Sequence, residues 1–105
     1  MAQFCVYKNK NPASRKQYPY LLDIQSDLLS ELRTTVVVPL CSPSLAGGMQ
    51  ITQLNPSLDI NGECFIAMTQ ELACIDRQRL GVMVCDLHHY REKIIAAVDF
   101  MISGI

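Results

Sequence analysis

Apolar positions along the chain keep a two-residue rhythm through most of its length and change to a three-to-four-residue rhythm only near the end. Phe4, Val6 and Lys8 alternate with Cys5 and Tyr7, the period of a strand. Asn9 to Gln17 is polar, contains Pro12 and reads as a loop. Tyr18 to Ile24 predicts a second strand, with Pro19 at an edge or at the strand start because it has no N–H to donate. The two strands form a long-looped hairpin. Thr34 to Leu40 is β-branched and almost wholly apolar, which predicts a buried strand with Pro39 at its end or at a bulge. Cys41 to Pro56, with Pro43, Gly47-Gly48 and Pro56, is expected to be irregular apart from a short helical turn near Ser44. Leu58 to Ile60 and Glu63 to Met68 flank Asn61-Gly62, and that dipeptide suits a turn needing positive φ at both central residues. Thr69 to Cys74 leads to a further strand over Leu80 to Cys85.

After Asp86, which can cap a helix, Leu87, Tyr90, Arg91, Ile94, Val98, Met101 and Ile102 recur at spacings of three and four, and Ile95 widens the stripe. The pattern predicts several antiparallel strands followed by one C-terminal helix. No internal repeat, low-complexity segment or interdomain linker interrupts it, so residues 1–105 are expected to form one domain.

Composition narrows the classes. Half of the residues are hydrophobic and 18% are charged, as in a globular chain. The net charge of −1 disfavours direct nucleic-acid binding over the whole surface. No run approaches the roughly 20 apolar residues of a membrane span, and the first residues do not resemble a signal peptide. The five cysteines, Cys5, Cys41, Cys64, Cys74 and Cys85, are odd in number and never closer than ten residues. They read as small buried hydrophobes in a reducing cytoplasm rather than as a zinc or redox site.

The usual catalytic signatures do not occur. His88 and His89 are adjacent, so on a helix they point about 100° apart and cannot share one metal; no metal site or cofactor is expected. Neither a glycine-rich phosphate loop nor a nucleophile elbow is present. Arg33-Thr34, at the mouth of a predicted strand, is the one candidate for stabilising a phosphorane in RNA cleavage, against the plainer reading of a loop arginine.

Two features suit partners, against the plainer readings of a solvated hairpin tip and a solvated, frayed tail. Lys8, Lys10, Arg15 and Lys16 lie in a stretch without an acid, a local patch suited to an acidic peptide. At the other end, Ser103-Gly104-Ile105 follows the predicted helix directly, and Asp99 adds negative charge to its last turn. Like charge there costs about 0.3–1 kcal/mol per exposed group, and no Lys or Arg after Lys93 offsets it. A partner bearing positive groups would.

Several segments, taken in order, resemble CcdB-type toxins of bacterial toxin–antitoxin modules. They are Gln3-Phe4-Cys5-Val6-Tyr7, Leu22-Asp23-Ile24-Gln25-Ser26-Asp27-Leu28-Leu29, Val37-Val38-Pro39-Leu40, Met68-Thr69-Gln70-Glu71-Leu72-Ala73, Asp86-Leu87 and Gly104-Ile105. The resemblance implies an SH3-like antiparallel barrel with a small extra sheet and a C-terminal helix, of the CcdB/MazF-like kind, assembled as a cytoplasmic homodimer. It implies a gyrase poison that is not an enzyme and that serves plasmid or mobile-element maintenance. Carried over by position, Leu28, Leu29, Asp99, Ser103, Gly104 and Ile105 would face the DNA gyrase A subunit. Lys8, Lys10, Arg15 and Lys16 would face an acidic, disordered antitoxin tail. The chain departs from the best-known members at Ser103, where they carry Trp, and at Asp99, where they carry Asn. It also departs in Cys74-Ile75-Asp76, where they contain Pro, and in a longer N-terminal loop. A Trp anchor is worth upward of about 2 kcal/mol when centrally buried. The alternatives are an endoribonuclease toxin of the related barrel class and a divergent non-toxic homologue.

Overall fold

A computed structural model describes residues 2–47 and 52–104. Among the described residues, seven strands form one antiparallel sheet that forks: β1 (Cys5–Asn9), β2 (Tyr20–Asp23), β3 (Thr34–Cys41), β4 (Ser57–Ile60), β5 (Glu63–Ala67), β6 (Ala73–Asp76) and β7 (Leu80–Asp86). The order is β4-β5-β3-β2-β1-β7, and β6 also pairs with β3. β3 is therefore the hub. Its first half, Thr34–Val37, pairs with β6, and Leu40 and Cys41 pair with β5. The result is an SH3-like half-barrel with a small wing made by the β4–β5 hairpin; a helix of one turn, α1 (Pro43–Ala46), lies between β3 and β4, and a C-terminal helix, α2 (Arg91–Ser103), comes after β7.

The continuous apolar runs of β1, β2 and β3 reflect burial on both faces. Val6, Leu22 and Val38 point into the main core with Phe4, Leu40, Phe65 and Ile94 of α2. Their neighbours Tyr7, Leu21 and Val37 point the other way, into a second cluster with Cys5 and Leu80. Strand geometry sends successive side chains to opposite faces, so both layers need apolar residues in these three strands.

Three local features explain how the sheet closes. Pro39 lies inside β3, neither at its end nor at a bulge as expected. Its carbonyl accepts from the Met68 N–H at 3.0 Å, so its missing N–H faces the same edge, in the interval where β3 passes from β6 to β5. Asn61 (φ 53°) and Gly62 (φ 89°) make the tight β4–β5 turn. At Gly81 a Cβ would stand 2.7 Å from the Lys8 carbonyl oxygen, so only glycine lets β7 approach β1, whose pairing is shifted in register here.

The strand over Ala73–Asp76 was not resolved from the lead-in to β7 by pattern alone. The helix begins at Arg91, not directly after Asp86: Asp86 Oδ1 accepts the His88 N–H at 2.8 Å, and a 3₁₀ turn over His88–Tyr90 comes between. The cysteines also differ from expectation. Cys5 and Cys41 are buried, but Cys64 and Cys74 occupy outward strand positions and are exposed. Burial pushes the Cys5, Cys41 and Cys85 thiols up, which keeps them protonated and unreactive.

Candidate functional site

α2 covers the main core, while the second face of the sheet is only partly covered. The uncovered part is a groove of about 590 Å³. Its floor is Leu21, Val37, Pro39 and Ile75, and its rim carries Lys10, Arg79 and Glu71. Tyr18 also lines it, and burial, then the Glu71 charge, pushes its phenol up. An apolar floor with convergent polar groups is the common form of a ligand site.

The basic segment forms one wall, and it is folded. Asn9 Nδ2 donates to Ser14 Oγ at 3.1 Å and to the Tyr18 carbonyl at 2.8 Å. The Asn9 and Asn11 side-chain oxygens each accept the N–H two residues on, a local turn typical of Asn. Lys8, Lys10, Arg15 and Lys16 are all exposed, but Lys10 alone of the four lines the groove. Its Nζ donates across the groove wall to the Gln78 carbonyl at 2.9 Å.

The residues assigned to gyrase contact fall on two elements. Leu28 and Leu29 sit on a 3₁₀ turn, Asp27–Leu29, capped by Ser26 Oγ accepting from the Leu28 N–H. Leu28 is 93% exposed and Leu29 46%, with Leu32 beside them at 50%. Asp99, Ser103 and Gly104 lie at the end of α2. Ser103 Oγ donates to the Asp99 carbonyl at 2.7 Å. Gly104 adopts the left-handed conformation, its N–H closing on the Phe100 carbonyl at 2.8 Å, the usual helix stop. Asp99 is exposed and no basic residue lies in the last turn. Ile105 lies outside the described residues.

A buried polar cluster behind the leucine turn escaped the sequence reading. Asp23 is 1% exposed. Its Oδ1 accepts from Thr35 Oγ1 at 2.8 Å and from the Gln25 N–H at 3.1 Å, and its Oδ2 faces Arg77 Nη1 at 3.8 Å. Burial raises the Asp23 carboxyl above its ordinary value, and the Thr35, Gln25 and Arg77 contacts offset part of that rise. A signal existed: a lone carboxylate ending an apolar strand must find partners. The partner, 54 residues away by number, carried no signal of its own. Arg33, the arginine singled out for phosphorane chemistry, is instead engaged with Asp76 Oδ2 at 2.8 Å. The Gln78 N–H, and after it that contact, hold the Asp76 carboxyl below its ordinary value.

The fold is a mostly antiparallel half-barrel closed by a C-terminal helix. The family described as CcdB protein matches residues 3–104, so the chain belongs to the CcdB family and is a toxin of a toxin–antitoxin module. A solved structure with the same fold is an endoribonuclease in complex with its cognate antitoxin from a mycobacterial species. It has a TM-score of 0.75 and 10% identity, and the match covers 97% of this chain and 94% of that one. That likeness corrects the expectation that the chain is not an enzyme. The same barrel carries catalysis in that protein, and here the groove brings an acid, Glu71, and two cations, Lys10 and Arg79, into one cavity. Among the described residues no helix is long and apolar enough to cross a membrane.

Proposed function

We propose that this protein poisons DNA gyrase. The leucine turn and the end of α2 would grip the gyrase A subunit and trap the enzyme on cleaved DNA, and an antitoxin would counter it through the basic groove. The observation that carries this reading is the near-complete exposure of Leu28 on a hydrogen-bonded turn, at the position where the family resemblance assigns target contact. An apolar side chain held in water by an ordered backbone is costly unless a partner covers it. Asp99 at the negative end of α2 adds a group suited to basic side chains on the target. The half-buried Ile95, Val98 and Met101 and the exposed Ile102 leave α2 with apolar surface that a second copy of the chain would cover, giving a homodimer. Purified gyrase incubated with DNA and this protein should accumulate cleaved complexes, with a quinolone as positive control. No cleaved complex and no binding to gyrase A at tens of micromolar (roughly −6 kcal/mol of affinity) would end the proposal.

The groove favours one second reading, an endoribonuclease. Glu71 would serve as acid or base and Arg79 and Lys10 would hold phosphate. Cleavage of a defined RNA that is lost in Glu71→Gln and Arg79→Ala would place this reading first. No cleavage by the wild-type protein would remove it.

A further inference from the structure

Arg77 begins the 3₁₀ turn Arg77–Arg79 between β6 and β7, yet its side chain reaches across to the segment after the leucine turn. Nε donates to the Leu32 carbonyl at 2.7 Å and Nη2 to the Leu29 carbonyl at 3.1 Å. Nη1 faces Asp23 Oδ2 at 3.8 Å, and the side chain is only 13% exposed. The Arg77 N–H also donates to the Arg33 carbonyl at 3.0 Å. One guanidinium thus turns two loop carbonyls inward while Leu28, Leu29 and Leu32 remain outside. A planar fork with several fixed donors can do this; a single ammonium cannot. The buried Asp23 opposite supplies the countercharge that lets the guanidinium stay there.

We propose that Arg77 is a positioning residue: it braces the Leu29–Leu32 segment so that the leucine turn is presented outward in the pose its target meets. The inference rests on the reading that this turn contacts gyrase A. Arg77 touches no partner; it acts through the backbone of the turn. It gives the turn a tertiary anchor although no residue of it is buried.

The test uses the full chain as Arg77→Lys and Arg77→Met. Asp23→Asn/Arg77→Met serves as a further variant in which no unpaired charge is left buried, should the single changes fail to fold. Amide hydrogen exchange reads the brace directly. The N–H groups of Leu29, Ser30 and Leu32, bonded to Ser26, Asp27 and Leu29, should exchange about tenfold faster or more in the variants, while Val6 and Leu22 in the central sheet keep their wild-type rates. Unchanged loop rates, or an equal acceleration everywhere, would overturn the proposal. Binding to gyrase A should weaken by about tenfold or more, and this loss should vanish when the same change is made in a Leu28→Ser/Leu29→Ser background, because coupled residues are not additive. An equal loss in both backgrounds would also overturn it. If the wild-type protein does not bind gyrase A, the gyrase reading falls, and the exchange rates alone decide whether Arg77 braces the turn.

Discussion

At the scale of single residues, the buried carboxylate of Asp23 links the fold to its surface. Its folded pKa lies above the ordinary value of 3.8 because burial outweighs its hydrogen bonds. The native state therefore binds this proton more tightly than the unfolded chain does. Stability from this group is complete below pH 3.8 and falls as pH rises through the raised folded pKa. Asp76 has the opposite sign: its pKa is lowered, so its contribution is present above the ordinary value and fades as pH falls through the lowered one. Asp23→Asn should flatten the stability–pH slope just above pH 3.8, as followed by urea unfolding at stepped pH. An unchanged slope would show that another group sets it. The sequence marked Asp23 only as part of a family segment. Its partner Arg77 was illegible there, because pairing across the sheet depends on how β6 and the loop before β3 meet.

At the scale of elements, the hairpin at Asn61-Gly62 was legible because the turn's positive φ values restrict its residues. The helix was legible in its existence and its end, but neither in its start nor in its face. Ile94 and Ala97 are its buried residues, whereas the apolar stripe ran through Val98 and passed over Ala97. Periodicity finds a helix, but the side that is buried is chosen by packing, here against the core through Ile94 and against the 3₁₀ turn Thr69–Glu71. The stripe then has apolar positions left over. We expect the protein to sediment at about twice its 11.8 kDa chain mass at micromolar concentration, and Ile102→Glu, which places a charge on an apolar surface, to shift it toward monomer. A wild-type monomer at that concentration would remove the dimer from the proposal.

At the scale of the whole molecule, the forked sheet creates two differently covered faces, one under α2 and one under the loop that carries Lys10. On the proposed reading, antitoxin binding belongs to the second face. Among the four cations, Lys10 is the one that lines the groove. An acidic tail entering there would compete with the Gln78 carbonyl for its ammonium. Lys10→Ala should weaken binding of an acidic antitoxin peptide by roughly tenfold, the order of a charge-assisted hydrogen bond, and reduce its salt dependence. Arg15→Ala and Lys16→Ala should act mainly on the association rate, as rim charges do. Equal effects from all three changes, measured by titration calorimetry and stopped flow, would show that only the net charge of the loop matters.

The sequence by itself determined the strand-rich order, the final helix, the hairpin turn and the family. Each of these depends on local periodicity, on backbone restrictions at glycine, asparagine and proline, or on an ordered run of short segments. Only the tertiary structure decided which side of the helix is buried and that Pro39 can sit inside a central strand. It alone decided that Cys64 and Cys74 face outward, that Glu71, Arg79 and Lys10 share one groove, and that Arg77 reaches back to hold the leucine turn. These depend on contacts between residues tens of positions apart, whose geometry is set by how the sheet forks and twists rather than by any residue's neighbours in the chain.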